Sequence, residues 1–591
     1  MKMLTGFMRT VQYALVFVLS GCATISSVQR VQKEAAVATR GEVSEAARVT
    51  MLEKQLASMQ ADVTSKLAAI RSQELDLTSA TAAAQLESRT AIEEVHRAEQ
   101  VWSKTFVSES NEPTDDNGAA LVNHLYLKLV TKARTQAHHA YIQPVVAPSV
   151  LLHFGKQAYS KLIWNGVVPD WHLASRFALA FQPVGYLYRH SVSTYVVRGN
   201  HVEKLAFAPT SFGIQSATVR HLPHILPIAG INLAYAFNEG HPADEFLSLL
   251  GASYFRAVGR SQWWGLSARG LAVNTAVANL KEEFPSFSSV WIFVPSENAH
   301  SLTVLAQLDG PSVTGAYRFL ITPGHVTRVR VTAVIFLRYH VQRLGLAPLT
   351  SMFLQGRISP KRVDLLHPSI HDSDGLSIEM SDGHWIWHPL TNPDWLRFTD
   401  FKLDNPIGYG LMQRDRDFNQ YQSLGNHYQD RPSAWVTFLG HWGPGQFDLI
   451  EIPSHSASND NIVAFWEPRV QPKPGEPLTL RYDIAWQGKS QTYPPLAWTS
   501  ETRMVPSGNN ARIFSIYFSG GELADLPSWI APQPEVRAAG YQSITDVTLV
   551  KLPTGGRWRL RFTVHGATDK LIKAKIVYRD RPLTETWTYG A

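Results

Sequence analysis

Two textures of apolar spacing divide the chain. Between Gly41 and Pro113 there is neither Gly nor Pro, and Ala, Glu, Gln, Lys, Arg, Ser and Leu dominate, the residues of long helices. Leu52, Leu56, Met59, Val63, Ile70 and Leu77 recur at alternating spacings of four and three, with Lys66 and Gln73 filling two seam positions. That register predicts a coiled coil over 42–110, about four heptads of it clearly marked. A helix of that length reaches roughly 100 Å. It reads either as a rod that self-associates or as a helical tether without a partner.

After Asn111-Glu112-Pro113-Thr114-Asp115-Asp116-Asn117-Gly118 the texture changes. Short runs rich in Val, Ile, Phe, Tyr and Trp alternate with Gly, Pro, Asn and Asp. Examples are Ser289-Val290-Trp291-Ile292-Phe293-Val294 and Arg328-Val329-Arg330-Val331-Thr332-Ala333-Val334, several with the period of two that half-buried antiparallel strands need. The body is expected to be mainly β. A break in the region 487–511, marked by Tyr493-Pro494-Pro495 and Pro506-Ser507-Gly508, separates 113–487 from 500–591. The second part has strands expected at 513–518, 544–551, 558–564 and 572–578, the size and rhythm of an immunoglobulin-like sandwich without its cysteines.

At the N-terminus, Lys2 and Arg9 precede a short apolar run at 11–19, then Leu19-Ser20-Gly21-Cys22. The run is too short to span a membrane and predicts a signal peptide over 1–21. Its closing pattern resembles the bacterial lipobox, which implies lipid at Cys22, a linker over 22–41, and a periplasmic protein anchored to a membrane. Ala23 after the cysteine favours the outer one. Cys22 is the single cysteine, so a lipidated chain has no thiol left for disulfides.

Composition narrows the function classes. The chain has 591 residues, 45% hydrophobic and 18% charged, which calls for folded domains rather than disorder. The net charge of +6 is a mild excess, and no Lys/Arg run interleaved with aromatics argues for nucleic acid. Trp 17, Tyr 20 and Phe 26 supply rings for β cores or for sugar grooves. Gly265-Leu266-Ser267-Ala268-Arg269 approaches a nucleophile elbow but lacks its second Gly. His221 with His224, and His384 with His388, have metal-like spacing without acidic or Cys partners, so neither a metal nor another cofactor is expected.

The densest polar and aromatic stretch runs over 371–466. It holds His371-Asp372-Ser373-Asp374-Gly375-Leu376, Trp385-Ile386-Trp387, Gln413-Arg414-Asp415-Arg416-Asp417-Phe418, Tyr428, Arg431-Pro432-Ser433-Ala434-Trp435, Glu451 and Asn459-Asp460-Asn461 through Trp466. Carboxylates beside aromatic rings suit glycoside chemistry, where one carboxylic acid protonates the leaving oxygen and a second carboxylate activates water. The same residues have plainer readings. Asp-Ser-Asp-Gly forms turns, Arg-Asp-Arg-Asp forms salt-bridge ladders, and strand tryptophans pack inward.

Together with Leu250–Arg256, Gly265–Ala272 and Ala347–Leu354, these blocks resemble the periplasmic glucan biosynthesis family of OpgG and OpgD (MdoG and MdoD), densely and in order over 245–470. The resemblance implies a galactose-mutarotase-like β-sandwich followed by the immunoglobulin-like domain. It implies action on β-1,2-glucan, as an inverting endo-β-1,2-glucanase with Asp460 as general acid and Asp372 as general base through a relay of hydroxyls. Asp460 is then expected to be desolvated or near a carboxylate. Asp372 is expected to be exposed or hydrogen-bonded, with His371 and Ser373 as local candidates. Tyr428 is implied to position substrate, and Trp385, Trp387, Trp435 and Trp466 are candidate stacking rings. The alternative is a non-catalytic glucan-binding factor that assists a transferase. The chain departs from the family at position 457, which is Ala where relatives often carry Glu, and in its N-terminal anchor and helix.

Overall fold

The computed structural model describes Lys54 and Ser58, then 116–144, 162–163, 176–184, 188, 190–208, 224–238, 243–359, 363–489, 492–508, 510–527, 529–553, 555–566 and 570–590. The chain divides into two compact units, 1–113 and 114–591. In the first, Lys54 and Ser58 are helical and exposed. The signal peptide, Cys22, the linker and the rest of the coiled-coil register lie outside the described residues.

The second unit is mainly β, as the alternation predicts. In Thr327–Leu337, Arg328 and Arg330 point to solvent while Val329 and Val331 are buried, the period of two read from the sequence. Among the described residues one eleven-stranded sheet runs from Leu162–Ile163 through Tyr254–Ala257, Ser267–Arg269, Leu344–Ser351, Ile462–Pro468 and Gly445–Glu451 to Arg397–Leu403. A fifteen-stranded sheet includes Trp385–Pro389, Gly375–Met380, Pro406–Met412, Ser433–Phe438, Pro477–Gln487 and Thr327–Leu337. Rings from both sheets meet in one core. Phe255 of the first lies 5.3 Å from Phe319 and 6.0 Å from Trp486 of the second, and Tyr409 lies 4.8 Å from Phe447. Leu344–Ser351 is buried along its whole length, so its sequence carries no alternation of apolar and polar residues.

The sequence reading expects strands after residue 113; the structure instead places a helix at Asp116–Ala137. Val122, Tyr126, Leu129, Ala133 and Ala137 repeat at helical spacing and cover Leu305, Ala316, Val334 and Phe336 of the large sheet. The Tyr126 hydroxyl donates toward the Ala316 and Thr332 carbonyls at 3.4 and 3.3 Å.

The expected C-terminal strands form as Ala511–Ser519, Ser543–Lys551, Trp558–His565 and Ile572–Tyr578. Three of them join Trp498–Ser507 in a separate four-stranded sheet. The chain then returns: Thr586–Tyr589 pairs with Ile572–Tyr578 and, in parallel, with Trp385–Pro389, matching Trp587 to Trp387. The last strand is thereby stitched into the fifteen-stranded sheet beside the stretch richest in candidate chemistry.

Candidate functional site

Asp372 follows the two-residue strand Ile370–His371, which pairs with Phe353–Gln355. Its backbone N–H donates to the Met352 carbonyl at 2.8 Å, and its side chain is buried. Asp460 ends the turn that leads into Ile462–Pro468. Next to it, buried Asn461 pins that turn to Phe353–Gln355, the partner of the strand before Asp372. Its Oδ1 accepts from Phe353 N at 2.9 Å, and its Nδ2 donates to the carbonyls of Phe353 and Ile452, each at 3.0 Å. The middle member of Asn-Asp-Asn is thus presented, and the third member carries the load.

Burial pushes the Asp372 carboxyl up to about 6, against the pull of Arg431, and the charge of Asp460 adds to the rise. The Arg431 guanidinium donates to Asp372 Oδ1 in a close ion pair. Asp460 is reached by solvent, yet the protein around it is dense enough that desolvation leads in raising its carboxyl, opposed by Arg256, Arg269 and Arg431. The two carboxyls therefore lie in the field of the same two guanidiniums, Arg256 and Arg431, with Arg269 added at Asp460. Arg269 is engaged already, at 2.7 Å from Glu282 and 3.0 Å from the Thr350 hydroxyl, with its guanidinium over the Tyr254 ring. Among the described residues, neither the Asp460 carboxyl nor the Arg256 guanidinium makes a hydrogen bond or an ion pair, so both are open to a ligand.

The local partners expected for Asp372 need correction. Asp372 is the buried one, and its partner is Arg431 rather than His371 or Ser373. His371 turns to Gln413, with Nδ1 3.0 Å from Gln413 Oε1, and stacks on Phe353 at 5.1 Å. Burial drops its pKa to about 4, so it is neutral at pH 7. Ser373 is fully buried, with its Oγ 2.8 Å from the Ser351 Oγ. Tyr428 is buried too and carries the Arg431 guanidinium over its ring at 4.4 Å, bracing the cation that holds Asp372.

The structure places the four candidate stacking rings inside. Trp385 and Trp435 stack on each other at 5.2 Å. Trp387 has Arg414 on its face at 3.6 Å, and Trp466 packs on Phe447 at 5.0 Å with no exposed surface. Glycines make the room: a Cβ on Gly375 would lie 2.4 Å from Trp387 Cζ2, and one on Gly445 would lie 2.6 Å from Trp466 Cζ2. In this conformation their faces are covered by protein.

Arg414-Asp415-Arg416-Asp417 is not a ladder. Arg414 forms a bidentate pair with buried Glu585 at 2.7 and 3.1 Å. The Asp374 carboxyl accepts from the backbone N–H groups of Arg414 and Asp415. Arg416 holds the turn before Arg431 by donating to the carbonyls of Gln429 and Arg431 at 3.0 and 2.8 Å. Asp417 caps Asn419 N at 3.0 Å. Gln413 ties the set together, donating from Nε2 to the Tyr428 carbonyl at 3.0 Å. Glu451 is a buried bracket for Thr391, whose N–H and hydroxyl reach it at 2.6 and 2.8 Å.

Arg256, Arg269 and Arg431 are the charged neighbours of the two candidate acids that sequence reasoning missed, though each lies inside one of the quoted blocks. For Arg256 and Arg269 the signal was available, since an arginine inside an apolar strand pattern calls for a negative charge nearby; Arg431, after the turn Tyr428–Asp430, carries no such mark. Among the described residues no group of three His, Cys, Asp or Glu side chains is placed to hold a metal. His384 pairs with exposed Asp382 at 2.9 Å, while buried His388 meets the Thr588 hydroxyl at 2.9 Å.

A sequence model described as periplasmic glucan biosynthesis protein, MdoG, matches residues 126–591. The glucans biosynthesis protein G of Ralstonia nicotianae is 40% identical over 428 residues, which span 70% of this chain and 84% of that protein.

Proposed function

The chain belongs to the MdoG family of periplasmic glucan biosynthesis proteins, and on that premise we propose that it cleaves the β-1,2-linked backbone of a periplasmic glucan with inversion. A role in periplasmic glucan biosynthesis goes with the family. The finer reading rests on one observation: Asp372 and Asp460, far apart in sequence, share a site in which each carboxyl is raised and each is reached by the free Arg256 guanidinium.

In this reading Asp460, open at the surface and held above its ordinary range, donates its proton to the glycosidic oxygen that leaves. Asp372, ionised above about pH 6 and fixed by Arg431, accepts the proton of the attacking water through hydroxyls between them. Asn461, Gln413 and Tyr428 hold the two acids and their cation in place. Arg256 offers donors to sugar hydroxyls. The fold assignments that accompany this reading are a mutarotase-like pair of sheets and an immunoglobulin-like C-terminal module. The body is tethered through lipid at Cys22 and spaced, or brought together with other copies, by 42–110.

The test is to incubate the protein with linear β-1,2-glucan and count reducing ends, alongside Asp460→Asn and Asp372→Asn. New ends from the parent and none from either variant support the hydrolase. Bound glucan without new ends from the parent assigns the site to glucan handling for a transferase instead.

A further inference from the structure

The geometry points to a second element of the site: Trp263 as a stacking platform for a glucosyl ring, a binding subsite beside Asp372 for the β-linked glucan. This rests on the glucan reading above. Trp263 leaves 47% of its surface in solvent, whereas Trp264 next to it packs against the core. Its indole lies flat on the His427 imidazole, with centroids 3.9 Å apart and planes 7° from parallel. One face is thus braced and the ring is aimed. Trp395 and Trp529 are exposed as well, but no ring among the described residues braces them.

Both turns that make the stack are held in conformations side chains avoid. His427 has φ +47° and Ser261 has φ +62°. Gln262 locks the first turn, accepting from Gly259 N at 2.8 Å and donating to the His325 carbonyl at 3.1 Å. Trp263 N–H donates to the Asp430 carbonyl at 3.1 Å and joins the two turns. Backbone strain of this kind persists only where surrounding contacts fix it, and here it fixes an apolar ring at the surface.

Position relative to the acids follows from the chain. Asp430 is bonded to Trp263 and immediately precedes Arg431, the cation on Asp372. Two residues after Trp263, Gly265 runs against the stem of Arg431, so close that an added Cβ would sit 3.1 Å from Arg431 Cβ. The segment that carries the indole therefore runs beside the residue that holds Asp372. A β-linked glucose ring presents faces of C–H bonds, which suit the negative face of an indole, and its equatorial hydroxyls stay free for polar donors nearby. A ring already held by His427 binds such a face without losing rotamer freedom.

The test uses the full chain carrying Asp460→Asn, which removes the acid and leaves the platform, and measures the dissociation constant for linear β-1,2-glucan by calorimetry. Adding Trp263→Ala is expected to weaken binding roughly tenfold or more, and Trp263→Phe by roughly threefold or less. Thermal unfolding of each variant shows that the fold persists. Parent-like affinity in Trp263→Ala overturns the platform and leaves the glucan reading standing. Failure of the Asp460→Asn protein itself to bind β-1,2-glucan overturns both. Equal loss in the Ala and Phe variants overturns stacking as the cause.

Discussion

Arg431 holds the buried carboxylate of Asp372, and the Tyr428 ring lies 4.4 Å from the same guanidinium. On the proposed hydrolase reading, the pair sets the lower edge of the working pH range. A base must be ionised, so activity falls as pH drops through the Asp372 value of about 6. Arg431 pulls that value down. In Arg431→Gln the acid limb of kcat/KM is expected to move up by roughly one pH unit or more. A limb that stays in place removes Asp372 from the reaction.

On the same reading the opposite limb belongs to Asp460, which as the acid must be protonated, so activity falls as pH rises through its raised value. Asp460→Asn is expected to lose roughly 10²–10⁴-fold in rate. Arg256 is the leading cation opposing the rise. Arg256→Gln should thus shift the alkaline limb upward by roughly one pH unit and raise KM, since it also removes a free donor. A pH profile unchanged on the alkaline side would sink the assignment of Asp460 as acid.

Much of this fold is legible from the alternation of apolar and polar residues, because a half-buried strand writes its period into the chain. Thr327–Leu337 and Trp558–His565 lie close to where that period puts them. The helix Asp116–Ala137 is hidden because Asn117-Gly118 reads as a turn and because Leu121, Leu125, Leu127 and Val130 blur its apolar stripe. Whether a tryptophan faces a groove or the core depends on what lies opposite. For Trp387 and Trp466 that is glycine twelve and twenty-one residues away. The two candidate acids are legible through their blocks, but Arg431 meets Asp372 across 59 residues, a pairing that only the folded chain supplies.

Glu585, near the end of the chain, is tied to the site through Arg414. Both side chains are almost wholly buried. Glu585 also accepts from Thr499 N at 2.6 Å, and Arg414 donates to the Thr499 carbonyl at 3.0 Å. Glu585→Ala leaves the guanidinium uncompensated and is expected to destabilise the protein by about 3–5 kcal/mol in denaturant unfolding. Because the Arg414 backbone also holds Asp374, two residues after Asp372, activity should fall in the fraction that stays folded. A stable, fully active Glu585→Ala protein would show that the last strands contribute nothing to the site.

Asp448 and Glu467 form a second carboxyl pair, remote from these acids in role, on the adjacent strands Gly445–Glu451 and Ile462–Pro468. Asp448 is fully buried. Burial, a hydrogen bond with Glu467 and the charge of Glu467 hold its carboxyl well above the ordinary range. Gln446 donates to Asp448 Oδ1 at 2.7 Å, and Arg343 stands 3.7 Å from Glu467. The folded protein thus keeps a proton that the unfolded chain gives up above about pH 4. Proton uptake on folding makes stability fall as pH rises above that value, by up to about 1.4 kcal/mol per pH unit from this group. Asp448→Asn replaces the shared proton with a permanent N–H donor of the same shape. The variant should unfold at higher denaturant than the parent at pH 8, match or trail it at pH 4, and lose much of the slope between. An identical pH dependence in the two proteins would mean that Asp448 is ionised in the fold, with Arg343 compensating both carboxylates.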